Sequence, residues 1–191
     1  RQCPQIANLF DSVAPKKILI CALDFAKEKH ICLLCNGNGD QLLKSFPICN
    51  HKSGLEHLLE RIQTTCKRHN ISHQHLIIGG EDTPPYARNL LFALHQKGHC
   101  VVYVNAWKAK RQRENIQAST DRLDLLGIAK TILNRDAYLV FDPDPNAAAQ
   151  SANHDTLREL GRARDALVKQ QTALSNRIHS YIKILFPGFL D

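Results

Sequence analysis

The chain has 191 residues, of which 43% are hydrophobic and 23% charged, so it suits one globular domain with an appendage. The formal net charge is +7 and the isoelectric point about 9.1, which favours a polyanionic partner such as nucleic acid. No stretch approaches the ~20 apolar residues of a membrane helix, and the N-terminus lacks the apolar segment of a signal peptide. We therefore expect no membrane partner.

The cysteine and methionine contents bear on the cellular compartment of the protein and on where its natural chain begins. The seven cysteines are odd in number and scattered, which argues against a secreted disulfide framework and predicts a reducing, cytoplasmic location. Cys32 and Cys35, close to His30, have the spacing of a zinc pair. Residues three apart on a strand point to opposite faces, so we reject zinc. Because there is no methionine, we expect the natural chain to begin earlier.

Hydrophobic periodicity predicts the elements in chain order. Residues 1–15 show no clear period and are interpreted as a leader. Strands are predicted at 18–23, 30–35, 41–48, 76–78 and 101–104. Helices are predicted at 53–69, 84–96, 106–117, 121–134 and 153–185, the first of them with a capping box that starts at Ser53.

This order predicts an α/β fold with a mixed five-stranded sheet flanked by helices, because an antiparallel meander is followed by βα units. We expect the domain to span residues 16–146, with a linker at 142–145. Residues 147–191 are predicted to form a long basic helix. A partial heptad seam indicates a coiled-coil-like helix that either dimerises or links to a further domain; it contains Leu160, Leu167, Leu174 and Tyr181.

Four acidic residues stand out by position. Asp24 ends the first strand and Glu81 follows the fourth, and α/β sheets commonly place ligands at such strand ends. Asp121 and Asp124 are three residues apart in a predicted helix, so they share one face. Carboxylate oxygens are the ligands that Mg²⁺ or Mn²⁺ prefers, and two such ions about 3.5–4 Å apart promote phosphoryl transfer.

The spacing of these acids is also compatible with purely structural roles. An aspartate after a buried strand is commonly a turn or cap residue. Asp121 also suits the N-terminal turn of a helix, where the helix dipole favours negative charge. Asp124 could instead pair with Arg122 or Lys130 on the surface.

Five segments carry motifs, namely LDFAKEKH at 23–30, EDTPPY at 81–86, VNA at 104–106, STDRLD at 119–124 and LRELGRARDAL at 157–167. In this order they resemble the motifs G-x-D-[VA]-[AS]-K-x-x-H, E-x-T-G-x-Y, V-N-P, K-T-D-x-x-D-A and L-R-x-L-x-R-x-R-x-x-L. These motifs are typical of DEDD-type insertion-sequence transposases, the group that includes the Piv invertase and the bridge-RNA-guided recombinases. The resemblance covers roughly residues 18–190.

The resemblance implies an RNase H-like (RuvC-like) fold and an enzyme that cleaves and transfers DNA strands. It also implies that Asp24, Glu81, Asp121 and Asp124 are ligands of Mg²⁺ or Mn²⁺. Related members use a structured guide RNA and a C-terminal domain that supplies a serine, so full recombination is not expected of this chain alone. The sequence departs from the motifs at Ala22, Pro85, Ser119 and Leu125.

Basic residues beside these motifs are predicted to contact phosphates, with a solvated helix face as the alternative; they are Lys27, Lys108, Lys110, Arg111, Arg113 and Arg122. The leading hypothesis is a transposase catalytic domain that binds DNA and forms a homodimer or higher oligomer through its C-terminal helix. One alternative is a stand-alone RNase H-like or Holliday-junction nuclease with the same metals. The other is a non-catalytic nucleic-acid-binding and dimerisation module.

Overall fold

A computed structural model describes residues 4–81, 84–113, 120–141 and 145–188. It comprises two compact units, Arg1–Phe141 and Asp142–Asp191. The strands of the first unit are β1 Leu19–Asp24, β2 Lys29–Asn36, β3 Gln41–Cys49, β4 Leu76–Glu81, β5 Cys100–Val104 and β6 Ala137–Leu139. They form one mixed sheet in the order β3-β2-β1-β4-β5-β6, in which β1, β4 and β5 are parallel neighbours.

Strand β1 lies at the centre of the sheet and is buried on both faces. Leu19, Cys21 and Leu23 belong to one hydrophobic cluster, whereas Ile20 and Ala22 belong to another on the opposite face. This alternation explains why the segment is a continuous apolar run, since both faces of the strand are covered by helices.

The helices are α1 Pro4–Ser12, α2 Lys52–His69, α3 Pro84–Gln96, α4 Ala106–Arg111, α5 Asp121–Leu133 and, in the second unit, α6 Pro145–Leu185. Helices α2 and α3 contribute apolar side chains to the first cluster. Helices α1, α4 and α5 contribute to the second. The predicted α/β class is confirmed, and this arrangement fits the RNase H-like fold.

The sheet has six strands rather than the five predicted, because the short strand β6 pairs antiparallel with β5. The predicted leader, residues 1–15, contains helix α1, whose Ile6 is fully buried in the second cluster. Leu9, Phe10 and Val13 pack against the same cluster. The N-terminal segment therefore has a regular element that the sequence analysis did not predict.

Four helix boundaries differ from the predicted ones, and the smallest difference is that α5 ends at Leu133 rather than at residue 134. Helix α2 begins at Lys52, so its N-cap is His51 and not Ser53 as predicted. The Ser53 hydroxyl forms a hydrogen bond with the His51 ring instead of capping the helix. Helix α4 was predicted over 106–117 but ends at Arg111; residues 114–117 lie outside the described residues. Helix α6 begins at Pro145, which suits a first helical turn because proline has no N–H to leave unpaired.

In the part of the chain that the structure describes, no helix is both long and apolar enough to span a membrane. Cys32 and Cys35 belong to clusters on opposite faces of the sheet, so their thiols do not face each other. Burial, with a smaller contribution from Asp40, raises the pKa of the Cys35 thiol to about 12. The thiol is therefore kept in its neutral form.

Candidate active site at the carboxyl edge of the sheet

The first two predicted acids lie at the same edge of the sheet. β1 and β4 are parallel, and Leu23 is the register partner of Gly80, so Asp24 and Glu81 are the next residues on adjacent strands. Both are half-buried. Because parallel strands end at a common edge, the sequence prediction that these two carboxylates converge agrees with the topology.

A glycine permits close packing immediately before Glu81. A Cβ atom at Gly80 would collide with the Leu23 carbonyl oxygen and with the Phe25 ring. Phe25 is itself buried and lies edge-on to His30, with ring centroids 5.4 Å apart. Only glycine lets β1, β4 and the Phe25 ring approach one another at this point.

The turn after Asp24 is held by His30, which is fully buried. The Ala26 N–H donates a hydrogen bond of 3.2 Å to His30 Nδ1, so Nδ1 is an acceptor. Burial lowers the pKa of His30, which keeps the ring neutral as this bond requires. His30 ends the first family-like motif, but the sequence analysis gave it no role.

The other two acids lie in the first turn of α5. Thr120 caps this helix, because its Oγ1 accepts a hydrogen bond from the Leu123 N–H at 3.4 Å. Asp121 and Asp124 therefore sit at the positive end of the helix dipole, which stabilises their charges. Leu125 follows directly and is fully buried in the second cluster, which anchors this end of α5 against the sheet.

Electrostatics link the acids of strand and helix. Burial first, then repulsion by Asp124 and Asp121, raises the pKa of Asp24. Burial first, then repulsion by Asp24 and to a smaller extent by Asp124, raises the pKa of Glu81. Arg113 lowers the pKa of both. All four predicted acids therefore contribute to one negative field, with Arg113 as an opposing charge.

Arg113 is also in direct contact with one of the acids. Its Nη2 lies 2.7 Å from Asp124 Oδ1, and the two side chains are only 11% and 18% exposed. The alternative from the sequence was that Asp124 pairs at the surface with Arg122 or Lys130. The structure shows a partly buried ion pair with Arg113. Sequence reasoning missed it because the contact joins the segment after α4 to the first turn of α5.

Helix α4 is fixed to α5 by a close contact. Ala109 is buried, and a Cβ atom at Gly127 of α5 would collide with the Ala109 carbonyl oxygen. The Arg113 stem passes beside the same glycine, since its Cγ would lie 3.2 Å from such a Cβ. Asn105 begins α4 by accepting hydrogen bonds from the Trp107 and Lys108 N–H groups at 3.0 and 3.2 Å.

The predicted phosphate-binding residues fall into two groups. Lys27, Lys110 and Arg122 are exposed. Three others have partners: Lys108 forms a 2.7 Å salt bridge to Asp136, the Arg111 guanidinium lies over the Trp107 ring, and Arg113 pairs with Asp124. Arg111 and Lys108 remain exposed, whereas Arg113 would have to leave Asp124 to meet a phosphate.

The donor set suits a hard cation, because it consists of carboxylates whose mutual repulsion a cation would relieve. Among the described residues, however, no three His, Cys, Asp or Glu side chains lie close enough together to hold a metal ion. The four acids thus interact electrostatically, but in this structure they do not form a complete coordination shell for a metal ion. Ser119, Asp82 and Thr83 of the motifs lie outside the described residues.

A protein-family model matches most of the chain. The model of a family described as transposase, of the DEDD type and named for IS110, matches residues 21–187. This range includes all four predicted acids and all of α6. No curated protein matches the chain.

Proposed function

The chain belongs to the DEDD transposase family of the IS110 type, and on that premise we propose that it cleaves and transfers DNA strands with divalent ions held by Asp24, Glu81, Asp121 and Asp124. The ions we propose are Mg²⁺ or Mn²⁺, which carboxylate oxygens bind well. One observation carries the proposal. Burial first, and then repulsion among acids from two neighbouring strand ends and from one helix, raise the pKa of Asp24 and Glu81, and a bound cation would relieve that repulsion.

A pair of such ions, when bound, lowers the pKa of an attacking water or hydroxyl and stabilises the leaving oxygen. The residues of this chain have separate tasks in the proposal. Asp24 and Glu81 would supply oxygens from the rigid sheet edge, and Asp121 and Asp124 would supply them from α5 once the acids draw closer together than they lie in this structure. Arg113 balances part of the charge before the ions arrive, so we expect its contact with Asp124 to open.

We propose that DNA lies along the basic residues beside this edge. Lys27, Lys110 and Arg122 are exposed, and α4 adds Lys108 and Arg111. Together with Arg113 these residues are part of the basic residues that give the chain its net charge of +7. The contacts would be to phosphates, so affinity should fall steeply with salt, with a slope of about −0.9 per phosphate contact on duplex DNA. A structured guide RNA is a second polyanion that this surface would bind.

Metal-dependent nicking of a supercoiled plasmid tests the proposed activity. We expect the chain to nick the plasmid with Mn²⁺ or Mg²⁺ and not with EDTA, and Asp24→Asn and Asp124→Asn to lose at least about 100-fold in rate. Glu56→Gln is the matched control, because Glu56 is an exposed acid on α2. Joining of a labelled oligonucleotide in the same reaction would favour a transposase over a hydrolytic nuclease. DNA binding that is tight, metal-independent and never followed by cleavage would favour the non-catalytic module.

We also propose that α6 forms a homodimer or higher oligomer. Its heptad-spaced residues are exposed within their own unit, by 57–65%; they are Leu160, Leu167, Leu174 and Tyr181. Packed heptad seams bury such rows against a second helix. Sedimentation equilibrium should show association that Leu174→Glu abolishes. Asn176→Glu, two residues away and off the seam, should leave association unchanged. A monomeric parent chain would contradict this part of the proposal.

A further inference from the structure

Helix α4 borders the candidate active site at both of its ends. It begins directly after β5, whose last residue Val104 is the register partner of Glu81. Just beyond its other end, Arg113 reaches Asp124. The contact between Ala109 and Gly127 fixes the helix to α5. The exposed face of α4 therefore belongs to a helix that packs closely against α5 and whose two ends adjoin residues of the site.

That exposed face carries an aromatic ring with a cation stacked on it. Trp107 is the single tryptophan of the chain, and it is 64% exposed. The Arg111 guanidinium, one helical turn further on, lies 4.7 Å from the centre of the Trp107 ring. The stacking pre-orders both side chains, because the guanidinium is attracted to the face of the ring. Lys110 adds a further exposed positive charge on the same helix.

We propose that Trp107, ordered by Arg111, is a stacking platform for an unpaired nucleobase of the DNA strand that the acids process. The inference rests on the proposed function, because it requires a DNA strand at this edge. Aromatic faces bind unpaired bases by stacking, while neighbouring cations hold the backbone phosphates. In an intact duplex both faces of a base are covered by its neighbours, so the platform selects a strand with an unstacked base. The combination of ring and positive charge fits a nucleic-acid strand better than an apolar protein surface.

The single tryptophan provides a direct readout of this contact. We expect single-stranded oligodeoxythymidine to quench the fluorescence of Trp107 in a saturable way in the intact chain. A fluorescein-labelled strand and a matched blunt duplex, followed by anisotropy, report affinity independently of tryptophan. Trp107→Leu should weaken single-strand binding about 5- to 150-fold, the range expected for one stacked base, and change duplex binding by less than about twofold. Trp107→Phe should lose less than Trp107→Leu, because it keeps an aromatic face.

Phe92→Leu is the matched control, because Phe92 is an aromatic residue of α3 that is 47% exposed. Helix α3 packs on the face of the sheet opposite α4. We expect this variant to bind both DNAs as the parent does. Thermal melting checks that each variant is folded, which the exposure of Trp107 leads us to expect.

Four results would overturn the inference. A folded Trp107→Leu variant that binds both DNAs as tightly as the parent would remove Trp107 from the interface while leaving the proposed function intact. An equal loss for strand and duplex would exclude a role in recognising unpaired bases. A loss confined to single-stranded RNA of the same length would assign the platform to RNA instead of DNA. A parent chain that binds no nucleic acid would contradict the proposed function as well.

Discussion

Asp24 and Glu81 hold their carboxyl groups where negative charge is disfavoured. Each is half-buried, and each is repelled by other acids of the same edge. Their pKa values are therefore higher in the folded chain than in the unfolded one. The folded state binds these protons more tightly, so ionisation of the two groups lowers the free energy of unfolding. This loss is absent at low pH, where both groups are protonated in the folded and unfolded states.

Asp24→Asn should therefore stabilise the metal-free protein at neutral pH. The cost of ionisation appears as the pH rises from the unfolded value of about 4 through the raised pKa. Thermal melting in EDTA should show a variant that melts above the parent at pH 7, with the difference vanishing near pH 4. Glu81→Gln should behave in the same way. A difference that is constant across this range or grows toward low pH would contradict the account.

Arg113 stabilises the metal-free protein, whereas the charges of Asp24 and Glu81 destabilise it. It is the cation paired with Asp124, and both side chains are largely buried. Removing one partner of a buried pair leaves the other charge uncompensated. Arg113 should therefore stabilise the acid cluster in the absence of metal and compete with a cation for Asp124.

Arg113→Ala should destabilise the metal-free protein by on the order of 3 kcal/mol. Millimolar Mg²⁺ should recover a larger part of the stability in this variant than in the parent, because the metal takes over as counter-ion. Urea denaturation with and without Mg²⁺ measures both effects. Arg113→Lys keeps the positive charge, so its free energy of unfolding should lie between those of the parent chain and of Arg113→Ala. Equal stabilities of Arg113→Ala and parent in EDTA would show that the ion pair contributes nothing.

At the scale of elements, α4 and α5 meet through a glycine. Gly127 lies in the middle of α5, where glycine is unfavourable by about 1 kcal/mol relative to alanine. The close approach of the Ala109 carbonyl explains why a larger residue does not fit. This contact sets the position of α4, and through it that of Arg113 and Trp107.

Gly127→Ala should lower the free energy of unfolding by about 1–3 kcal/mol, because overpacking outweighs the gain in helix propensity. Gly161→Ala is the matched control in helix α6. Gly161 has no neighbouring atom within 4 Å of an added Cβ, so alanine should favour the helix by about 1 kcal/mol. Circular dichroism during denaturation measures both. A stabilised Gly127→Ala variant would mean that α4 does not pack here as described.

Most elements could be predicted because their periods are clear. The strands β1, β4 and β5 are apolar runs that end at an acid or at a turn. Helix α1 also carries a helical signal in the spacing of Ile6, Leu9, Phe10 and Val13, which the sequence analysis overlooked. Strand β6 has only three residues, too few for any period, and it is defined by its pairing with β5.

At the scale of the whole molecule, the site depends on contacts between distant segments. The convergence of Asp24 and Glu81 could be predicted, because parallel strands that end in acids share an edge. The pairing of Arg113 with Asp124 could not, since it depends on where α4 ends and on how α4 packs against α5. The role of His30 depends likewise on burial and on a backbone contact to Ala26, and the motif that ends at His30 does not specify this contact.

A calorimetric titration with Mn²⁺ tests the central claim most directly, using the parent chain, Asp24→Asn, Asp121→Asn and the surface control Glu56→Gln. Asp24 belongs to the sheet and Asp121 to α5. The account predicts that the parent and Glu56→Gln bind Mn²⁺, and that both aspartate variants lose this binding, because strand and helix acids hold the same ions. Unchanged binding in either aspartate variant, or no binding by the parent chain, would contradict it.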